Sequence, residues 1–295
     1  MEPKGKDSRL AVFIGFAALV LAVFSRDLAA LFRLACKSQL HSQALLVPAI
    51  SAWLFFHRRA PLPPFCASPT AAVGTFIAAG ALLAGAAFSP WQGTDLLAVR
   101  VLALLLILGG GWLMFLGWPS FRTSLFPLLF MLFVVPLPNG VVHFMSVSLQ
   151  DGSAKLSYWT FAAMGWPVFK SGHVLMLPGL TLEVAEECSG INSTYALFIT
   201  SVLAGQVLLK SRWKRLLFVA VVLPLGVLRN TFRIVSLAVL TIKVDPRIID
   251  SPLHHRGGPI FFALSLIPLF GLLVLLWWIE QRKPAADIER RDHEQ

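Results

Sequence analysis

An all-α polytopic membrane protein is the fold class that this sequence predicts, and three observations predict it. Of its 295 residues, 57% are hydrophobic and only 14% are charged, whereas a soluble domain is about half apolar and about a quarter charged. The apolar residues fall into long runs, the arrangement of chains built to sit in lipid. The net charge of +10 is carried by short basic caps between those runs, which reads as membrane topology and excludes a phosphate-binding face for nucleic acid.

Spanning takes about 20 mostly apolar residues. On that criterion, about eight transmembrane helices are expected, over residues 10–25, 43–56, 71–89, 96–117, 124–146, 190–209, 216–242 and 259–280. The first run lacks a small-residue cleavage site and is expected to be a retained helix. In the fifth, Pro136 and Pro138 are expected to end the span, with Asn139 to Trp159 continuing as an interfacial helix. The chain thus reads as one membrane domain over 1–285, with a polar tail over 286–295 expected to be disordered from Arg290 on.

Eight spans put both termini on one side, and the positive-inside rule makes that side the cytoplasm. The strongest single vote is the cluster Lys210-Ser-Arg-Trp-Lys-Arg215 between two apolar helices. The loop after the first helix, with Arg26, Arg33 and Lys37, runs against the bias. Residues 140–187 then form a long outer insertion before the sixth helix. Within it, Gly165 to Glu187 reads as a β-hairpin turning at Pro178-Gly179, with Leu180, Leu182 and Val184 alternating. Such a hairpin either holds a peptide by strand pairing or is a structural lid.

Three places carry chemistry. Cys36, Cys66 and Cys188 are too few and too scattered for a disulfide framework or a zinc site, and no metal or cofactor is expected. Cys188, however, stands where the hairpin ends and a helix begins, in Val184-Ala-Glu-Glu-Cys-Ser-Gly-Ile-Asn192. Ser189, Asn192 and Ser193 can cap that helix. The positive end of the helix dipole favours a thiolate there. A buried, inert thiol is the alternative. Glu186 and Glu187 oppose a low thiol pKa, so a nearby cation is needed.

Arg229 and Arg233 offer that cation. They lie four apart inside an apolar span, on one helical face. If the helix starts at the basic cluster, Arg233 lies roughly 25 Å up it at about 1.5 Å per residue, in the outer half of the bilayer. A guanidinium there stabilises a thiolate, an oxyanion or a substrate carboxylate; snorkelling or a structural ion pair is the alternative. Asn230 can hydrogen-bond to a neighbouring helix. His254 and His255, in Ser251-Pro-Leu-His-His-Arg-Gly-Gly258, lie on the same outer side. An imidazole is a natural base for a thiol and acid for a leaving amine; a solvated loop histidine is the bland reading.

At these residues the chain resembles the exosortase/archaeosortase family of multipass membrane cysteine transpeptidases. Val184-Ala-Glu-Glu-Cys-Ser-Gly-Ile191 is similar to that family's V-A-x-x-C-S-G-I segment, and Asn230-Thr-Phe-Arg-Ile234 to its N-x-x-R-I segment. His254, Gly258 and Phe262 are similar to its H-x-x-x-G-x-x-x-F segment, and His41 to Ser51 and Phe126 to Pro138 resemble its early histidine and proline-rich segments. The resemblance covers about residues 38–275. It implies catalytic Cys188, Arg233 and His254 or His255; Arg229, Asn230, Glu187 and Ser189 are expected to contact substrate. It also implies a bacterial inner-membrane enzyme with its site facing the periplasm. Such an enzyme cuts a C-terminal sorting signal (a short motif often written PEP, a transmembrane helix and a basic cluster) from exported proteins. It then passes them to a surface acceptor. The expected partners are that signal, the unknown acceptor and membrane lipids. Two rivals remain: a transporter or lipid-binding protein that uses the intramembrane arginines, and a scaffold subunit of an exopolysaccharide export machine.

Overall fold

Long apolar helices and one small sheet make up the protein. The computed structural model describes residues 4–57, 63–184, 189–245 and 258–292. Among them, five helices are long and apolar enough to cross a membrane, or seven if each of two bent pairs counts as one span. The chain divides into two units, Met1–Val141 and Val142–Gln295.

The first unit opens with α1 (Lys4–Val23), which turns by 69° into α2 (Ser25–Lys37). Arg26, Arg33 and Lys37, expected in the loop after the first helix, belong to a helix. Leu31 and Ala35 are buried on one face, and Leu28 packs with Val20, Phe24 and Leu104, while Arg33 and Lys37 stay outside. That helical spacing of apolar residues gives the stretch a face to bury, so cations alone do not make it a loop. A 3-10 turn at Ser42–Leu45 leads into the short α3 (Val47–Phe56), and then come α4 (Pro69–Phe88) and α5 (Gly93–Phe115). After α6 (Gly117–Thr123), the expected fifth span is broken. Its first part is α7 (Leu125–Phe130) plus a 3-10 turn at Met131–Val134. The helix stops before Pro136 and Pro138, whose rings and missing N–H groups forbid continuation. It resumes as α8 (Asn139–Ala163), where Asp95 Oδ1 accepts the Asn139 N–H at 2.7 Å.

In the second unit, β1 (Phe169–Ser171), β2 (Val174–Leu177) and β3 (Leu180–Glu183) form an antiparallel sheet in that order. Pro178-Gly179 connects Leu177 to its partner Leu180. The inner face of the sheet, Leu175 and Leu177 with Leu180 and Leu182, packs on Phe161 of α8 and on Ala238, Ile234 and Val235. The last three belong to α11 (Val222–Lys243), which follows α9 (Ile191–Leu208) and α10 (Arg212–Ala220). The closing helix, α12, spans Gly258–Asp292, so helix continues through residues expected to be a polar tail. Ala285, Ala286 and Glu289 there are strong helix formers.

Helices α9, α10, α11 and α12 share a core of Leu197, Phe218, Val222, Leu225, Leu269 and Leu273. The Glu280 carboxylate on α12 accepts the Lys210 and Ser211 N–H groups at 2.9 and 2.8 Å, just ahead of α10. Helices α9 and α11 approach closely at Gly226, where an added Cβ would lie 2.6 Å from Thr194 Oγ1. Small residues let helix backbones approach in this way where no hydrophobic force drives association in lipid. Gly226→Val is expected to lower stability by about 1–3 kcal/mol through overpacking. Gly271→Ala, with nothing within 4 Å of its Cβ position, is expected to be neutral. Heat-induced loss of the monodisperse species in detergent measures both.

Candidate functional site

Cys188, Glu187, His254 and His255 lie outside the described residues. The site is therefore built from the chain on either side of residues 185–188 and from the helices that meet it.

Helix α9 begins at Ile191, after Gly190 in a left-handed conformation with φ of +75°. Ser189 is wholly buried, and its Oγ accepts the Ile191 N–H at 3.3 Å. Ser189 lies one residue before the N-cap, Gly190, and its hydroxyl is engaged by the first helical N–H. Ser193 acts the other way: its hydroxyl donates to the Gly190 carbonyl at 3.2 Å, as does that of Thr194 at 3.0 Å.

The same carbonyl receives Arg229. Its Nη2 donates to Gly190 O at 3.0 Å and lies 3.5 Å from Thr194 Oγ1. Arg229 is only 8% exposed, and among the described residues its Nη1 has no hydrogen-bond partner. Nor does any described carboxylate pair with it. Asn230, 2% exposed, sits beside it with Nδ2 likewise unpartnered among the described residues. Glycine at 190 is required twice over. The backbone is left-handed, and a Cβ there would stand 2.3 Å from Arg229 Nη2.

Arg233 is half-buried one turn further along α11, on the side of Arg229 that leads toward the sheet. Its neighbours Ile234 and Val235 form the apolar seat of that sheet, so the turn bearing Arg233 is the turn the strands cover. Arg229, Asn230, Ser189 and Gly190 are thus brought together, with Arg233 adjacent in helical order.

Gln150, on α8, carries a role the sequence reading missed. It is 6% exposed, and its Nε2 donates to the Val184 carbonyl at 2.9 Å. Val184 N–H in turn donates to His173 O at 3.0 Å, which closes the sheet. A signal was there to be read: Ser146, Gln150, Ser153 and Ser157 recur every three or four residues in an apolar helix and are all buried. Such a stripe faces another element and seeks partners on it. Thr231 of α11 reaches the Ser153 carbonyl at 3.5 Å.

The early segment behaves differently. His41, in the first unit, has Nδ1 3.0 Å from Ser38 Oγ. Burial pushes its pKa below the ordinary histidine value, against the upward pull of a hydrogen bond with the Leu137 backbone. The neutral ring is its resting form, which suits a structural contact.

The chain matches the transmembrane exosortase family over residues 34–271. No curated protein and no solved structure matches it. A match of that extent shows that the chain belongs to the transmembrane exosortase family.

Gly190→Ala is expected to cost more than the ~1–2 kcal/mol of left-handed strain alone, because the methyl displaces the Arg229 guanidinium. In an Arg229→Met background the extra cost should vanish. A double-mutant cycle of thermal stability in detergent measures that coupling.

Proposed function

We propose that this transmembrane exosortase is a membrane-embedded cysteine transpeptidase. It cleaves the C-terminal sorting signal of exported proteins and transfers them to a surface acceptor. The observation that carries the reading is Arg229. A buried guanidinium without a described carboxylate partner sits at the N-terminus of α9, on the carbonyl of Gly190, two residues after Cys188 in sequence. Cation and helix N-terminus are both positive. Their mutual repulsion is relieved by an anion at that point, and a Cys188 thiolate is one.

The chemistry follows from the residue types. The Cys188 thiolate attacks the scissile carbonyl carbon, and a C–S bond forms as the carbonyl electrons move onto oxygen. Arg233 stabilises that oxyanion, and the unpartnered donors on Asn230 and Arg229 add to the positive field beside it. His254 or His255 gives a proton to the leaving amine as the C–N bond breaks, leaving a thioester. The amine or hydroxyl of the acceptor attacks the thioester, its proton passes to the histidine that protonated the leaving amine, and the C–S bond breaks to release the Cys188 thiolate; water in that role makes the reaction a hydrolysis. Glu187 and Ser189 border the nucleophile in sequence.

For orientation, the basic cluster Lys210–Arg215 is taken to face the cytoplasm of a bacterial inner membrane. That sends the start of α9 and the Arg233 turn of α11 to the opposite face, where an exported substrate arrives. Both termini are read as cytoplasmic, which takes an even number of crossings.

Cys188→Ala is expected to abolish processing of a co-produced signal-bearing protein while leaving membrane insertion intact. The mass of the substrate's new C-terminus, with and without the variant, is the measurement. Normal processing would end the reading. Arg233→Lys keeps a charge but loses the planar fork. It is expected to lower kcat by about 10²–10³-fold, the scale of an oxyanion contact, which single-turnover kinetics of the same substrate would reveal.

A further inference from the structure

Arg26, Arg33 and Lys37 run against the charge bias that orients the rest of the chain. They lie on α2, seven and then four residues apart, which is close to two turns and then one turn of a helix. All three therefore share one line on the helix surface, and all three are exposed. Leu28, Leu31 and Ala35 occupy the opposite side and pack inward. Asp27, the one acid on α2, sits between the two sides and is taken by Arg100 of α5 at 3.1 Å. Among the described residues, no carboxylate pairs with Arg26, Arg33 or Lys37. We propose that α2 is an interfacial helix whose Arg26, Arg33 and Lys37 bind the phosphates of anionic phospholipids in the leaflet it lies on.

The placement of α2 says what faces that stripe. Helix α1 has 20 residues, which at about 1.5 Å per residue is enough to cross the hydrocarbon layer by itself. Helix α2 leaves it at 69°. Transmembrane helices tilt by about 20° on average, so α2 runs closer to the membrane plane than to its normal. Depth agrees with direction. The charge-free stretches Leu10–Phe24 and Val101–Phe115 both end at the Asp27–Arg100 ion pair. Its arginine side chain is 47% exposed, and a charge so exposed belongs where hydrocarbon gives way to headgroups. The stripe starts at that level. Exposed Phe32 and Cys36 border it on the apolar side, the arrangement of helices that lie in the interface. Arg33 Nε donates to the Ala29 carbonyl at 3.2 Å, which holds that side chain along its own helix. A row of cations on a convex face matches a layer of phosphates, whose oxygens accept from guanidinium and ammonium alike.

The test puts an environment-sensitive fluorophore on Cys36, which is exposed and adjoins Lys37, in the full chain carrying Cys66→Ser and Cys188→Ser. In detergent, phosphatidylglycerol, phosphatidylcholine, inorganic phosphate and an oligoglutamate peptide are titrated separately. The emission change is expected to reach its midpoint at a phosphatidylglycerol concentration at least about fivefold below that of phosphatidylcholine, and the gap should narrow as salt rises. Arg33→Gln is expected to raise the phosphatidylglycerol midpoint about fivefold, and Arg26→Gln with Arg33→Gln about 25-fold, with the phosphatidylcholine midpoint in place. Equal midpoints for the two lipids, or a wild-type midpoint in the double variant, would overturn the proposal. So would a saturating response to phosphate alone, which makes the stripe a free-anion site. A tighter response to oligoglutamate than to phosphatidylglycerol would overturn it too, and make the stripe a docking face for an acidic protein segment. If the double variant does not accumulate, Arg33→Gln decides: a raised phosphatidylglycerol midpoint supports the proposal, and an unmoved one overturns it.

Discussion

The guanidinium of Arg229 is the group around which the second unit is arranged. A positive charge within an apolar helix is expensive in lipid, and it persists only where protein surrounds it and supplies acceptors. Here the acceptor is a backbone carbonyl, that of Gly190, which also begins the hydrogen-bond ladder of α9. One interaction therefore seats α9 against α11, demands glycine at 190, and concentrates positive potential where the chain enters from residues 185–188. Among the described residues, no carboxylate forms an ion pair with it.

The remaining elements follow from where that charge must be. The three strands cover the turn of α11 that bears Arg233, with Leu175, Leu177, Leu180 and Leu182 turned inward. Helix α8 presents its serines and Gln150 inward, and Gln150 meets the Val184 carbonyl. Close approach at Gly226 brings α9 near enough to α11 for the Arg229 contact to form. At the other end of the helices, Glu280 ties α12 to the start of α10. The two ends of this unit are thus built differently: one is closed by an acidic cap on a basic cluster, the other holds the Arg229 guanidinium on a backbone carbonyl.

Family membership bears on how this geometry is read. The segments around Cys188, Arg233 and His254 are the ones that resemble exosortases, and the family match spans them all. The structure adds residues beside those motifs. Gln150 and Arg229 hydrogen-bond to the carbonyls of Val184 and Gly190, which lie on either side of residues 185–188 in sequence. Ser189, which motif position alone suggests as a substrate contact, is buried and occupied with the helix start.

By itself the sequence determined what depends on solvent preference and local chain geometry. Apolar run length marks α4, α5, α9, α11 and α12, because lipid selects length and composition before any tertiary contact forms. Pro136 and Pro138 mark the break before α8, because a missing N–H acts locally. Cys188 and the arginines stand out because ionisable or reactive groups are rare in such runs. What only the tertiary structure decided is partnership. That Arg26, Arg33 and Lys37 belong to a helix depended on a core for Leu31 and Ala35. That Gln150 meets Val184, and Arg229 meets Gly190, joins residues 34 and 39 positions apart. A backbone carbonyl is identical at every residue, so no sequence pattern can say which one a distant donor will find; packing alone sets it.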